Sequence, residues 1–117
     1  MKKILIVEDD ASTAALLKTY LLSKQLDADI AVDGLDALEK VKKSVPDLVL
    51  LDVMMPRLDG YGFIREFKKD PKMRALPVIV LTAREMMRDI FVQEGVKDFV
   101  SKPYDPAELY KIIAKYL

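Results

Sequence analysis

Three acidic residues in a row, Glu8-Asp9-Asp10, follow the apolar run Ile4-Leu5-Ile6-Val7. A lone carboxylate, Asp52, closes a second such run, Leu48-Val49-Leu50-Leu51, and a hydroxyl, Thr82, closes a third, Val78-Ile79-Val80-Leu81. Lys102 follows a shorter one, Phe99-Val100-Ser101. Carboxylates without imidazole or thiolate make a hard-oxygen donor set, suited to Mg²⁺ or Mn²⁺ rather than to zinc. An ammonium group offers a point charge to a phosphate, and a hydroxyl offers it a hydrogen bond. Gathered in one place, these groups could hold a divalent cation and a phosphoryl group together.

Gathering them requires the apolar runs to be strands that point the same way. Unbroken apolar stretches of this length are what strands buried on both faces of a parallel sheet look like. Between them lie segments with helical periodicity. Ala14, Leu17, Leu21 and Leu22 mark the first, leaving Lys18 and Lys24 for its outer face; Leu38 and Val41 mark the second, which ends at the Ser44–Pro46 break. Asp29-Ile30-Ala31-Val32 reads as a short strand stopped by Asp33-Gly34. Phe63, Ile64 and Phe67 lie one turn apart on a third helix stopped by Asp70-Pro71, and Arg84 to Glu94 reads as a fourth, ended by Gly95. A fifth helix, capped at Asp105 or the nearby turn, puts Leu109, Ile112, Ile113 and Tyr116 inside. This βα alternation, repeated five times with short connections, predicts an α/β domain with a parallel sheet and helices on both faces.

Composition limits the functions available. At 117 residues the chain fits one domain, spanning 1–117, with a single core. Lys plus Arg balances Asp plus Glu at 19 each, so no net field draws it to nucleic acid or to an anionic membrane. With no cysteine and no histidine there is no disulfide framework, no usual zinc site, no imidazole base and no phosphohistidine on this chain. No apolar run approaches the ~20 residues of a membrane span, and the start is too short in apolar residues for a signal peptide. A cytoplasmic location is the expectation.

Each candidate has a plain structural explanation when taken singly. An Asp-Asp pair ahead of a helix is commonly a cap that complements the helix dipole. Asp52 could begin a turn, Thr82 could cap the fourth helix, and Lys102 could be a solvated loop charge. Capping does not explain a lysine directly before Pro103, and the joint occurrence at four strand ends favours a shared site at the sheet's carboxyl edge.

On these residues the chain resembles the receiver domain of bacterial two-component response regulators, in the single-domain, chemotaxis-regulator-like form. The likeness is carried by Ile4 to Asp10, by Leu51-Asp52-Val53-Met54-Met55-Pro56 with Asp59-Gly60, by Leu81-Thr82-Ala83 and by Ser101-Lys102-Pro103. It implies a flavodoxin-like (βα)5 three-layer sandwich with a five-stranded parallel sheet of order 2-1-3-4-5. It also implies that Asp52 is the phosphoacceptor. Asp9 would bind Mg²⁺ (or Mn²⁺) directly, Asp52 would also be among its ligands, Glu8 would act mainly through water, and the Met54 carbonyl would complete the protein ligands. Thr82 and Lys102 would contact the phosphoryl group, across a Lys102-Pro103 bond expected to be cis, while Asp10 falls outside the acidic pair and is expected to be a cap. The crowded carboxylates of Glu8, Asp9 and Asp52 would repel one another in the metal-free protein.

The resemblance further implies a phosphorelay switch rather than a turnover enzyme, one that assists its own phosphorylation and dephosphorylation. Phosphate would come from a sensor histidine kinase, a histidine phosphotransfer protein or a small donor such as acetyl phosphate. Output would pass to a protein target on the face of the fourth helix, fifth strand and fifth helix, with a phosphorylation-dependent dimer as a further expectation and no direct contact with nucleic acid or membrane. Because the sequence stops with its fifth helix, a stand-alone switch is expected, with a piece of a larger regulator as the alternative. Three departures stand out, the mildest being Arg57 in the loop after Asp52, where glycine is common in the family. Phe99 takes the place of the switch ring without a tyrosine hydroxyl, and the Thr82–Lys102 interval is about two residues short, roughly half a helical turn. Met86, Met87, Ile90 and Phe91 fall in that interval. The enzymatic alternative is a metal-dependent phosphatase, which needs a second Asp two residues beyond the first. Met54 stands there. A flavin or nucleotide binder is disfavoured because Glu8-Asp9-Asp10 would repel the phosphate.

Overall fold

A computed structural model describes residues 1–52, 65–71, 74–82, 98–101 and 104–117; for Asp52, Thr82, Phe99 and Ser101 it describes the backbone. Five strands run through it: β1 (Lys3–Val7), β2 (Asp27–Ala31), β3 (Leu48–Asp52), β4 (Val78–Thr82) and β5 (Asp98–Ser101). All pair in parallel, in the order β2-β1-β3-β4-β5. The order reverses beside β1, which makes the gap between β1 and β3 the switch point of the sheet.

The apolar runs pack on both sides. Leu5, Val7, Val49, Leu51, Val78 and Val80 face one core together with Ala37 and Val41 of α2 (Gly34–Lys43) and with Phe67 from the helical residues 65–68. Ile4, Ile6, Leu48, Leu50, Ile79 and Leu81 face the other, against Ala14, Leu17 and Leu21 of α1 (Ala11–Ser23) and Leu109 and Ile113 of the C-terminal helix (Pro106–Ala114). Most of these side chains are fully buried. At about 1.5–3 kcal/mol each, relative to exposure, they fix which strand lies beside which. The helix expected over 84–94 lies outside the described residues, as do Met86, Met87, Ile90 and Phe91.

The structure corrects two details of the periodicity. β2 covers Asp27–Ala31 rather than 29–32, and Val32 is exposed beyond its end. The earlier start follows from pairing, since Lys3 is in register with Asp27 and the Asp27 N–H donates to the Lys2 carbonyl at 2.9 Å. Leu22, grouped with the inward residues of the first helix, is instead exposed: it follows Leu21 by one position and lies about 100° further round the helix. Lys24 is the C-cap of α1, and its ammonium lies over the rings of Tyr20 and Tyr110, 5.7 and 5.5 Å from their centroids, tying α1 to the C-terminal helix. Gln25 then turns the chain at φ 63°, with the Leu26 N–H reaching back to the Leu21 carbonyl at 3.0 Å.

The open edge of the sheet is closed by its own side chains. On β2 the N–H groups of Ala28 and Ile30, directed away from β1, donate to the carboxylates of Asp27 (2.9 Å) and Asp29 (3.0 Å). The Lys40 ammonium bonds the Ile30 carbonyl and sits beside Asp29. A strand covered in this way offers little to another strand. At the other end of the sheet, the Tyr116 hydroxyl donates to Asp98 of β5 at 3.2 Å; burial and the neighbouring carboxylate push the phenol pKa up.

Candidate functional site

Parallel pairing settles which chain ends meet. Val7 is in register with Leu51, so Glu8 and Asp52 are the next residues on two adjacent strands, with backbones about 4.8 Å apart. Asp52 is in register with Leu81 on its other side, and Thr82 with Ser101. The carboxyl edge of the sheet therefore carries, in spatial order, Glu8, Asp52, Thr82 and Ser101. Lys102 follows Ser101 in sequence but lies outside the described residues, as do Met54, Arg57 and the Lys102-Pro103 bond. The Phe99 backbone belongs to β5.

The three consecutive acids have three different environments. Glu8 is buried, 5% exposed, and its N–H donates to the Ala31 carbonyl at 2.9 Å, which holds the end of β1 to β2. Asp10 is the N-cap of α1. Its Oδ1 accepts from the N–H groups of Ser12 (3.0 Å) and Thr13 (3.4 Å), its Oδ2 from the Thr13 hydroxyl (3.0 Å), and its carbonyl from the Ala14 N–H. Both oxygens of that carboxylate are engaged with the helix it starts. Asp9, between them, is exposed. Glu8 and Asp9 are thus the acids of this triplet not used to start α1.

Asp33 went unassigned in the sequence beyond marking the end of a strand. It is 4% exposed and caps α2, accepting from the Asp36 N–H at 2.9 Å, while Asp36 in turn accepts from the Val32 N–H at 3.0 Å. An Asp directly before a helical run is a recognisable cap signal; here the adjacent Gly34 suggested a turn, and Gly34 is in fact the first residue of α2. Among the described residues no three acidic side chains form a metal-ligating group. The third acid of the expected set is Asp52, described in its backbone only. The donors at this edge are oxygen atoms, and the whole chain has no His or Cys, so the donor type fits a hard divalent cation.

A family model for the response regulator receiver domain matches residues 4–114. The chain belongs to that family. It is 36% identical over 110 residues to the response regulator PleD of Caulobacter vibrioides, a match covering 92% of this chain and 24% of PleD. It spans about half or less of the length of the first curated relatives. Its structure superposes on the chemotaxis protein CheY4 of Vibrio cholerae with a TM-score of 0.94 at 26% identity, covering 100% of this chain and 99% of that one. The receiver domain of a sensor histidine kinase from Pseudomonas aeruginosa, solved with magnesium coordinated in its active-site cleft, matches with a TM-score of 0.90 at 31% identity, covering 98% and 96%. Receiver domains are signalling switches phosphorylated on an aspartate, they bind Mg²⁺ in the active site, and they work with histidine kinases and downstream effectors. No helix among the described residues is long and apolar enough to cross a membrane.

The receiver's acidic triplet divides into a cap and two remaining carboxylates, and this division can be measured. Asp10→Ala is expected to lower the unfolding free energy by about 1 kcal/mol, by the same amount with and without Mg²⁺. Denaturant melts in both conditions check it.

Proposed function

We propose that this receiver domain takes a phosphoryl group onto Asp52 and relays it as a conformational signal. The observation that carries the reading is the register of β1 with β3, which makes Glu8 and Asp52 neighbours at the switch point of the sheet. In the transfer, an Asp52 carboxylate oxygen forms the new bond to phosphorus as the bond to the donor's imidazole nitrogen, or to the acyl oxygen of acetyl phosphate, breaks. Mg²⁺, when bound, would supply positive charge for the transferring phosphoryl oxygens. Asp9 and Asp52 are assigned as its carboxylate ligands, Glu8 as a ligand acting mainly through water, and the Met54 carbonyl as a further protein oxygen. Mn²⁺ has the same preference for hard oxygen donors and is expected to substitute.

Lys102 is assigned the role of a fixed cation for the phosphoryl group, and Thr82 that of a hydroxyl donor to its oxygens. Thr82 follows the apolar residues of β4, so its backbone is held by a strand buried on both faces. The signal is carried by Thr82 and Phe99, whose backbones lie on neighbouring strands. With no hydroxyl on Phe99, that ring can respond through packing alone. Phosphate is supplied by a histidine kinase or a histidine phosphotransfer protein. Output leaves by the face of β5, the C-terminal helix and the segment between β4 and β5, toward a protein target or a phosphorylation-dependent dimer. Residues 1–117 act as one domain in the cytoplasm, without direct contact to nucleic acid or membrane. A phosphatase role is not favoured, since Met54 stands where a second catalytic Asp would be required.

Intact mass after exposure to acetyl phosphate and Mg²⁺ tests the assignment. One added phosphate on the parent and none on Asp52→Asn is the expected outcome; equal labelling of that variant would overturn it. The cation assignment has its own readout in stability. Relief of carboxylate crowding should raise the denaturant midpoint of metal-free Asp9→Ala above the parent's. Mg²⁺ at one hundred times its Kd should add about 2.7 kcal/mol to the parent and nothing to this variant. A lower metal-free midpoint for Asp9→Ala would count against the crowding.

A further inference from the structure

Helix α2 carries two kinds of charge. Asp36 and Lys40 are used within the chain: they lie 3.5 Å apart, Asp36 accepts from the Val32 N–H, and Lys40 bonds the Ile30 carbonyl of the edge strand. Glu39 and Lys42 are exposed, and their side chains make no ion pair or hydrogen bond with another described residue. With Val32, Leu35, Asp36 and Leu38 they line an open cleft of about 550 Å³. Its apolar members are not all sheltered, for Val32 is 53% and Leu35 44% exposed; beyond the far end of the helix Val45 is 56% exposed. Leu35, Glu39 and Lys42, at positions i, i+4 and i+7, therefore present one apolar and two oppositely charged side chains on one face of α2.

The order of these residues suits a reversed copy of themselves. A negative and a positive residue three positions apart on one helix become complementary to the same pair when the helix is turned end for end. With a two-fold axis crossing α2 between positions 40 and 41, Glu39 of each copy comes level with Lys42 of the other. The same axis sets the two copies of Leu35 at opposite ends of the contact, outside the Glu39–Lys42 pairs. Charges then meet at the centre and apolar groups at both ends, a self-complementary arrangement of the kind a two-fold dimer needs. The neighbouring sheet edge does not compete for a second copy, because the outward N–H groups of Ala28 and Ile30 and the Ile30 carbonyl already have partners.

We propose that α2 is a self-association face, on which two copies of this chain pack antiparallel, pairing Glu39 of each with Lys42 of the other and burying Leu35. A contact made by one helix from each side falls at the small end of specific interfaces, below about 1,200 Å² in total, so the dimer is weak and reversible. It uses none of the acids at the carboxyl edge and does not require phosphorylation. It is thus separate from the phosphorylation-dependent dimer assigned above to the opposite side of the sheet.

Sedimentation equilibrium of the unphosphorylated full chain, from about 10 μM to about 1 mM, tests the proposal. The parent is expected to show a monomer–dimer equilibrium. Glu39→Lys alone or Lys42→Glu alone should weaken it about tenfold or more by placing like charges opposite one another. The double variant Glu39→Lys with Lys42→Glu should return to within about threefold of the parent, and Leu35→Asp should abolish association. Unchanged circular dichroism in each variant keeps loss of fold out of the comparison. Asp52→Asn should dimerise as the parent does. A parent that stays monomeric throughout, a dimer indifferent to either charge reversal, or a double variant no better than the single ones would each overturn the proposal.

Discussion

The constraint on which the rest depends is the parallel alignment of β1 with β3. Once Val7 is paired with Leu51, Glu8 and Asp52 must leave the sheet side by side, and no loop rearrangement can separate their backbones without breaking the central pair. Glu8 is nearly buried, where water screens charge least. Two unit charges of like sign at 4 Å repel by about 4 kcal/mol at an effective dielectric constant of 20. Repulsion on that scale is a substantial fraction of the stability of a small domain. In the reading proposed above, that repulsion is what a divalent cation, and later a phosphoryl group balanced by Lys102, would relieve.

The two cores keep that edge in place. β1 and β3 are buried on both faces, so their register is locked by side chains from α1 and the C-terminal helix on one side and from α2 and Phe67 on the other. At the same edge, two helices are started by acids that serve as caps, Asp10 for α1 and Asp33 for α2. Their carboxylates are stabilised by helix N–H groups and by the positive end of the helix dipole. That leaves Glu8 and Asp9 for other chemistry. The division is local and physical: it depends on which carboxylate the α1 backbone N–H groups claim.

Much of this was legible in the sequence because both periodicities are strong. Ile4 to Val7, Leu48 to Leu51 and Val78 to Leu81 are too uniformly apolar for anything but doubly buried strands, and the βα alternation left one topology once the family likeness was recognised. Asp10 as a cap was legible for the same reason that caps generally are. The misplacements have identifiable causes. β2 is an edge strand with aspartates at alternate positions, so its first residues do not look like a strand; its outward N–H groups donate to the carboxylates of Asp27 and Asp29 instead of to another strand. Leu22 follows the inward Leu21 in a short apolar run, and a window of hydrophobicity cannot tell which of two adjacent leucines turns outward. Asp33 stands directly before a helical run, which is a cap signal, but with Gly34 beside it the pair also reads as a turn; its burial and its bond to the Asp36 N–H decide between the two.

Convergence of the carboxylates on one cation can be tested directly by Mn²⁺ added in small amounts to ¹⁵N-labelled protein, since its unpaired electrons broaden nearby amide resonances. Glu8, Asp9, Asp10, Asp52 and the residues just after them should broaden first, while Lys3, Leu48 and Val78, at the opposite ends of the same strands, stay sharp. Early broadening at the amino ends of the strands, or broadening scattered over surface acids with Glu8 and Asp52 unaffected, would contradict a shared site at the carboxyl edge.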